Sequence, residues 1–233
     1  MLSFIIPAHN EEAVLPATLD SLHQAAQAAG RPYEVIVVDD ASTDRTATLA
    51  AGHGARIVPV QLRHIAAVRN AGARQAQGDI LIFVDADTLV PAGTLTAALA
   101  ALDHGAVGGG ALVGFDQPLR LPVRPIARVW DALSRCRRWA AGCFIFVRRE
   151  AFEAVGGFDE TYFVSEEIHL SKALKRQGRF LILRQRVITS ARKVRLYGAG
   201  RLFLMTLALL LRGPGAWRRR EGLWMWYEGR RES

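Results

Sequence analysis

Cysteine is scarce in this chain, and long apolar runs are missing from it. Its 233 residues include only two cysteines, Cys136 and Cys143. Two cysteines cannot build a disulfide framework, and they have no partners at zinc-site spacing, so a reduced cytoplasmic setting is expected. The longest apolar run, residues 202–211, would span about 15 Å as a helix, whereas a hydrocarbon core is about 30 Å thick. This run therefore cannot cross a bilayer alone.

The first residues lack the basic region and the cleavage site of a signal peptide, so residues 2–6 are expected to form the first strand. Internal repeats and low-complexity segments are also missing. Apolar residues make up 50% of the chain, which is enough for one large core. We expect a catalytic domain over residues 1–190 and a basic, aromatic-rich helical extension over residues 191–233, with helices near 202–211 and 221–227.

Acidic residues are scarce in that extension. Residues 184–233 hold 12 of the 30 Lys and Arg residues and 3 of the 22 acidic ones, so the rest of the chain is nearly neutral. A basic segment suggests an anionic partner surface or only a solvated face. Leucine and tryptophan interleave with arginine there, which favours contact with a membrane surface or packing on the domain. We expect a cytoplasmic protein, with the inner membrane face as a peripheral site, and no nucleic acid partner.

Apolar strands and amphipathic helices alternate along residues 2–190. The predicted strands are 2–6, 33–38, 55–60, 80–84, 106–113, 140–147, 180–183 and 187–189. The predicted helices begin with His9–Glu12, Ser42–Asp44 and Ile65 and continue at 91–102, 126–133, 149–155 and 166–177. Such alternation predicts right-handed crossovers and an α/β fold with a mostly parallel sheet covered by helices on both faces.

Two acids end the most strongly apolar strand. Asp85 and Asp87 follow residues 80–84 directly, and ligands of open parallel sheets bind beyond the carboxyl ends of the strands. A divalent ion held by one or two carboxylates takes further oxygens from phosphates. The alternative is that both acids only shape the turn before Pro91. Asp39-Asp40 and Glu166-Glu167 are two more acidic groups at element ends, and together the three groups suggest transfer from a nucleotide-diphosphate donor.

Five motifs, in order and spacing, resemble family 2 glycosyltransferases of the GT-A fold. They are Pro7-Ala8-His9-Asn10-Glu11-Glu12, Val37-Val38-Asp39-Asp40-Ala41-Ser42-Thr43-Asp44, Arg69-Asn70-Ala71-Gly72, Gly78-Asp79 through Asp85-Ala86-Asp87, and Gly156-Gly157-Phe158-Asp159-Glu160. The resemblance covers about residues 2–190. It implies a Rossmann-like sheet, a nucleotide-sugar donor (a UDP-sugar favoured, a GDP- or dTDP-sugar as alternatives), a Mg²⁺ or Mn²⁺ ion, and inversion at the anomeric carbon.

The same resemblance assigns the donor site residue by residue. Pro7, Ala8, Asn10 and Glu12 would border the nucleoside and ribose, although Pro7 and Asn10 could simply shape the turn. Asp40, with Asp39 beside it, would meet the base, and Arg69 would lie over the base or the phosphates. Asp85 would face the ribose or sugar beside the metal, and Asp87 would bind the metal.

The proposed base comes from Ser165-Glu166-Glu167, where Ser165 is expected to cap the helix at 166–177. Family members usually carry Glu-Asp here with the aspartate as base, so Glu167 would be the general base and Glu166 would position it or the acceptor. The alternative is that both acids only favour the helix N-terminus. Thr88 replaces an acid often found after Asp-x-Asp, and the Gln-x-x-Arg-Trp element of processive synthases is missing, so a single addition is expected. Residues 192–195 would close over the diphosphate, bind the acceptor or form a solvated loop.

The sequence does not decide whether the acceptor is a sugar or a lipid-linked molecule. It also leaves three rival functions open. A polyprenyl-phosphate sugar transferase would share the Asp-Ala-Asp motif and a basic, lipid-facing surface. A sugar-phosphate nucleotidyltransferase would need a glycine-rich loop after the first strand, where this chain has Pro7-Ala8-His9-Asn10. A basic module that binds lipid or nucleic acid would explain the C-terminal charge but not the acidic strand ends.

Overall fold

The computed structural model of the chain describes residues 1–117, 124–192 and Arg218, without the side chains of residues 124–127. The strands are β1 Leu2–Ala8, β2 Tyr33–Asp40, β3 Arg56–Val60, β4 Ile80–Val84, β5 Thr88–Leu89, β6 Ala106–Phe115, β7 Phe144–Arg148 and β8 Arg179–Thr189. The helices are α1 Leu15–Ala29, α2 Thr46–Gly52, α3 Ile65–Gln75, α4 Ala92–Asp103, α5 Arg124–Arg137, α6 Arg149–Ala154 and α7 Glu166–Gln177. The helices predicted at 202–211 and 221–227 lie outside the described residues, as does nearly all of the expected extension.

All eight strands form one sheet in the order β3-β2-β1-β4-β7-β6-β8-β5. The first four run parallel, while β7 runs antiparallel to both of its neighbours, β4 and β6. This arrangement confirms the predicted Rossmann-like, mostly parallel sheet. Because β7 is reversed, its beginning lies at the same edge as the carboxyl end of β4, where Val84 pairs with Phe144.

Side chains of the central strands alternate between two apolar layers. Phe4 and Ile6 of β1 pack with α1 and α4 on one face, and Ile5 packs with α3, α6 and α7 on the other. Helix α3 approaches the sheet most closely at Gly72, where an added Cβ would lie 2.4 Å from Cγ2 of Ile5. Burial on both faces explains why β4 is a continuous apolar run.

Three local predictions about element ends differ from the structure. Helix α1 begins at Leu15 and not at His9–Glu12, since Asn10 adopts a φ of 52° and its backbone N–H donates to Ser42 Oγ. Ser165 precedes α7 in a left-handed conformation, and its side chain makes no capping hydrogen bond. Strand β8 is one strand with an irregular register opposite Ala111 and Leu112, where two short strands were predicted.

The described part of the chain contains no helix that is both long and apolar enough to span a bilayer.

Candidate active site

Arg69 of α3 joins three parts of the chain beneath the carboxyl edge of the sheet. Its Nη1 donates to Oε1 of Glu166 at 2.6 Å, and its Nη2 donates to Oδ1 of Asp85 at 2.8 Å. Nη2 also donates to the carbonyl of Gly142 at 3.0 Å. The ring of Phe158 lies 5.4 Å from the guanidinium. One buried cation thus fixes the end of β4, the start of α7 and the segment before β7.

The hydrogen-bonding partners of Arg69 stabilise its positive charge. Burial alone would lower the pKa of Arg69, but the carboxylates of Asp85 and Glu166 raise it above its usual value. The same region raises the pKa of the Cys143 thiol, first through burial and then through Asp85 and Asp87. Cys143 is therefore an uncharged, buried residue beneath the candidate site.

Glu167 stands next to the buried Glu166 in the first turn of α7. Loss of solvation and then the negative charge of Glu166 raise the pKa of Glu167 well above that of an ordinary glutamate. Glu166 is 5% exposed and bound to Arg69, whereas Glu167 is only half-buried. A partly accessible carboxyl group with raised proton affinity is suited to accept a proton.

Asp87 lies at a junction between the end of β8 and the loop after β1. Thr189 Oγ1 donates to Oδ1 of Asp87 at 3.3 Å, and a guanidinium nitrogen of Arg192 lies 3.6 Å from Oδ2. Arg192 also binds Glu11 through both of its terminal nitrogens, at 2.9 and 3.3 Å. A cationic side chain therefore lies beside the carboxylate of Asp87.

The two acids at the end of β2 hold neighbouring loops in place. Asp40 accepts hydrogen bonds from the backbone N–H groups of Leu62 at 2.7 Å and Arg63 at 2.9 Å. Asp39 accepts from the backbone N–H of Ser42 at 3.3 Å. His9 contacts the carbonyl of Asp40 through Nδ1 and the guanidinium of Arg63 through Nε2, both at 2.8 Å.

Residues expected around the nucleoside tie the loop after β1 to the loop after β2. Oδ1 of Asn10 accepts from the backbone N–H of Thr43 at 2.7 Å, and Oε2 of Glu12 accepts from Nε of Arg45 at 3.0 Å. Pro7 and Ala8 end β1, where they pair with Val38 and Asp39. All of these residues are at the same edge of the sheet as Asp85.

The candidate site has two parts along this edge, one at the ends of β1 and β2 and one at the ends of β4 and β8 with the start of α7. The side chain of Arg69, which was predicted to lie over the base or the phosphates, is 3% exposed and is bound to the carboxylates of Asp85 and Glu166. The described residues contain no group of three or more His, Cys, Asp and Glu side chains arranged for a metal. Asp85 and Asp87 stay the carboxylates predicted to hold the metal.

Two long-range contacts near this edge do not follow from the sequence. Asn70 donates to the carbonyl of Phe158 at 2.9 Å and accepts from its backbone N–H at 3.0 Å, so it holds the turn before α7. Asn70 belongs to the motif Arg69-Asn70-Ala71-Gly72, but its partner is 88 residues away. The ion pair between Glu11 and Arg192 spans 181 residues, and only the basic run at residues 192–195 pointed to it.

The chain belongs to Glycosyl transferase family 2, whose profile matches residues 3–156. It is therefore a glycosyltransferase, as the motifs predicted, and a non-enzymatic module is set aside.

Two curated relatives match only part of the chain. One is undecaprenyl-phosphate 4-deoxy-4-formamido-L-arabinose transferase of Pseudomonas paraeruginosa, 39% identical over 100 residues, which are 39% of this chain and 29% of that protein. The other is an uncharacterised glycosyltransferase of Mycobacterium bovis, 41% identical over 105 residues and 45% of each chain. The chain thus spans less than half the length of these relatives.

Two solved structures share the fold. TarS of S. aureus in complex with UDP has a TM-score of 0.63 and 21% identity over 81% of this chain and 60% of that one. The mannosyltransferase PcManGT of Pyrobaculum calidifontis, in complex with GDP-Man and Mn²⁺, has a TM-score of 0.66 and 22% identity over 89% of this chain and 64% of that one. At this identity the likeness confirms the GT-A fold.

Proposed function

We propose that this glycosyltransferase moves one sugar from a nucleotide-diphosphate donor to an acceptor hydroxyl, with inversion at the anomeric carbon and with Glu167 as general base. The observation that supports this most is the position of Glu167. It is half-buried, has a raised pKa and adjoins Glu166, which Arg69 connects to Asp85 at the end of β4.

The proposed reaction is a single displacement. Glu167 accepts the proton of the acceptor hydroxyl while the acceptor oxygen forms a bond to the anomeric carbon. The bond between that carbon and the diphosphate oxygen breaks, and the nucleoside diphosphate leaves with the electron pair. Attack from the face opposite the leaving group inverts the configuration. Glu166, fixed by Arg69 at 2.6 Å, is a positioning residue for Glu167.

The carboxylates at the end of β4 fit a hard divalent cation. Oxygen ligands suit Mg²⁺ and Mn²⁺, and one or two carboxylates suffice when a phosphate supplies the rest. Asp87 would hold the ion with Asp85 beside it, and the Arg192 guanidinium 3.6 Å from Asp87 supports a cation there. When bound, the ion would neutralise charge on the leaving diphosphate.

We further propose that the ends of β1 and β2 bind the nucleoside. The loops there are held by Asp39, Asp40, Asn10 and Glu12, and Pro7 and Ala8 form the adjoining strand end. Because the carboxylate of Asp40 already accepts two backbone N–H groups, we infer that it acts on the base mainly by shaping the loop at Leu62 and Arg63. A UDP-sugar remains the favoured donor, before a GDP- or dTDP-sugar.

A polyprenyl phosphate is the second candidate acceptor. Relatives of this chain with 38 to 39% identity are named as undecaprenyl-phosphate sugar transferases. A phosphate monoester is largely ionised near neutral pH, since its second pKa is about 6. Such an acceptor needs no general base. Transfer to a hydroxyl therefore requires Glu167 as a base, whereas transfer to a polyprenyl phosphate does not.

The test begins with thermal shifts for UDP-, GDP- and dTDP-sugars, with and without Mn²⁺, since a ligand of the folded state raises apparent stability. The donor that binds is then assayed with sugar acceptors and with undecaprenyl phosphate. With a hydroxyl acceptor, Glu167→Gln should reduce turnover by a factor on the order of 10²–10⁴ while donor binding persists. Full turnover of Glu167→Gln on a hydroxyl acceptor would exclude the base, and full turnover only on the lipid phosphate would favour the second candidate.

A further inference from the structure

Helix α5 carries an apolar stripe on its exposed face. Val129, Ala132, Leu133 and Cys136 recur at the i, i+3, i+4 and i+7 spacing of one helix face, and all four are exposed. Val129 is 66% exposed and Leu133 is 37% exposed, which places both among the most exposed large apolar side chains of the described residues. A stripe with this spacing normally faces a core.

The opposite face of α5 is the one that holds the helix on the domain. Ser134 is 3% exposed, and its Oγ donates to the carbonyl of Trp139 at 2.7 Å. Asp131 forms an ion pair with Arg186 of β8. Helix α5 is therefore fixed to the domain by its buried face, and the apolar stripe faces solvent.

Positive charge surrounds the stripe. Arg128, Arg135 and Arg137 of α5 are exposed, and the one acid of this helix, Asp131, is paired with β8. On a helix of 3.6 residues per turn, Arg128 and Arg135 lie on one side of the stripe and Arg137 lies on the other.

The neighbouring face of α7 adds to this charge. Nζ of Lys175 donates to the carbonyl of Arg137 at 2.8 Å, and the cations of Arg137 and Lys172 each lie 5.6 Å from the ring of Trp139. Loss of solvation and then the charges of Arg138, Lys172 and Arg137 lower the pKa of Lys175. Several cations are thus crowded where an anionic surface would relieve their mutual repulsion.

We propose that the exposed face of α5, with the adjoining basic face of α7, binds the surface of an anionic phospholipid bilayer. Apolar side chains would enter the boundary between headgroups and acyl chains, and the flanking arginines would meet lipid phosphates. Charge complementarity favours this occupant over a second copy of the chain, because a copy would bring the same arginines to the contact. The proposal is separate from any membrane contact of residues 193–233.

The bilayer face lies close to the candidate active site. The segment after α5 reaches Gly142, whose carbonyl accepts from Arg69 at 3.0 Å. The backbone N–H of Ala140 donates to Ser171 Oγ at 3.0 Å, and that hydroxyl donates to the carbonyl of Glu167 at 2.7 Å. If the proposed function is correct, a lipid-linked acceptor would be delivered beside the base, but bilayer binding itself does not rest on that function.

The two cysteines allow a local test on the full chain, because Cys136 belongs to the stripe and is exposed while Cys143 is buried. An environment-sensitive fluorophore on Cys136 is followed on mixing with vesicles of phosphatidylglycerol and phosphatidylcholine, and with vesicles of phosphatidylcholine alone. We expect a blue shift with the anionic vesicles that high salt reverses. Cys136→Ser protein, treated in the same way, confirms that the label reports this position.

Substitutions test whether α5, and not another part of the chain, contacts the vesicles. Val129→Asp/Leu133→Asp should abolish the blue shift, whereas Leu62→Asp, at another exposed apolar residue (44% exposed), should leave it unchanged. Thermal melts verify that each variant is folded. Three results would each overturn the proposal. The protein could sediment with vesicles without a shift at Cys136, or show an equal shift with neutral vesicles. The shift could also grow with protein concentration in the absence of vesicles, which would show an interface between copies.

Discussion

Arg69 and Glu166 form a salt bridge of 2.6 Å in which the two side chains are only 3% and 6% exposed. They are 97 residues apart in the chain. The same guanidinium binds Asp85 at 2.8 Å, so a single cation sets the distance between the end of β4 and the start of α7. This arrangement makes Arg69 the structural link between the two carboxylates of the candidate site.

Arg69→Met should destabilise the protein strongly. Removing one partner of a buried ion pair leaves charges without compensation and costs about 3–5 kcal/mol. Urea denaturation measures the loss of unfolding free energy. Arg31→Met is the matched control, since Arg31 pairs with Asp103 at the surface and such pairs contribute about 0–1 kcal/mol. Arg69→Met/Glu166→Gln should recover part of the loss, and equal costs for Arg69→Met and Arg31→Met would contradict this account.

Glu167 should make both stability and activity depend on pH. Its raised pKa means that the folded state holds this proton more tightly than the unfolded state, so the associated stability is present below the ordinary glutamate pKa and is lost as pH rises through the raised value. Activity should increase over the same range, because the base acts when deprotonated. The measurements are thermal melts and kcat/KM from about pH 4 to about pH 8. In Glu167→Gln the pH dependence of stability and that of activity should both disappear. If the pH profile of either quantity is unchanged in this variant, another group is responsible for it.

Local patterns predicted those parts of the molecule that depend on neighbouring residues. The apolar run of β4 and the acids that follow it indicated a buried strand with a ligand site at its end, and the structure has the strand at Ile80–Val84. The alternation of helices and strands gave the mixed α/β fold. The reversed direction of β7 did not follow from its sequence, because a strand buried on both faces is apolar in either direction.

Contacts between distant residues could not be predicted in the same way. The family motif that contains Arg69 carries no information about its ion pair with Glu166 or about the burial of this part of α3. Similarly, Arg192 is part of a basic run in the sequence, but its contacts with Glu11 and Asp87 depend on the end of β8 pairing with β5, directly after Asp87. Such contacts require the three-dimensional arrangement of the sheet.

The two glycines before Phe158 should tolerate alanine differently. Gly156 and Gly157 both have a φ of +78°, so alanine is strained at each. An added Cβ on Gly156 meets nothing within 4 Å, whereas on Gly157 it would lie 2.8 Å from Oδ1 of Asn70. Gly157→Ala should therefore cost about 1–3 kcal/mol more than Gly156→Ala, because the hydrogen bond between Asn70 and Phe158 is disturbed. Urea denaturation measures both, and equal costs would show that Asn70 does not fix this turn.

Arg192→Gln should change cation and nucleotide binding in opposite directions. The Arg192 guanidinium lies 3.6 Å from Asp87 and pairs with Glu11, so it competes with a divalent ion for Asp87 while it can donate to a diphosphate. Removing its charge should strengthen binding of Mn²⁺ alone and weaken metal-free binding of UDP, each by about tenfold, or about 1.4 kcal/mol. Titration calorimetry, with electron paramagnetic resonance for Mn²⁺, measures both affinities. Arg31→Gln, far from Asp87 in a surface pair with Asp103, should leave them unchanged. If Arg192→Gln instead binds Mn²⁺ as the unmodified protein does, the guanidinium and the metal do not share Asp87, and the metal site must be sought elsewhere along this edge.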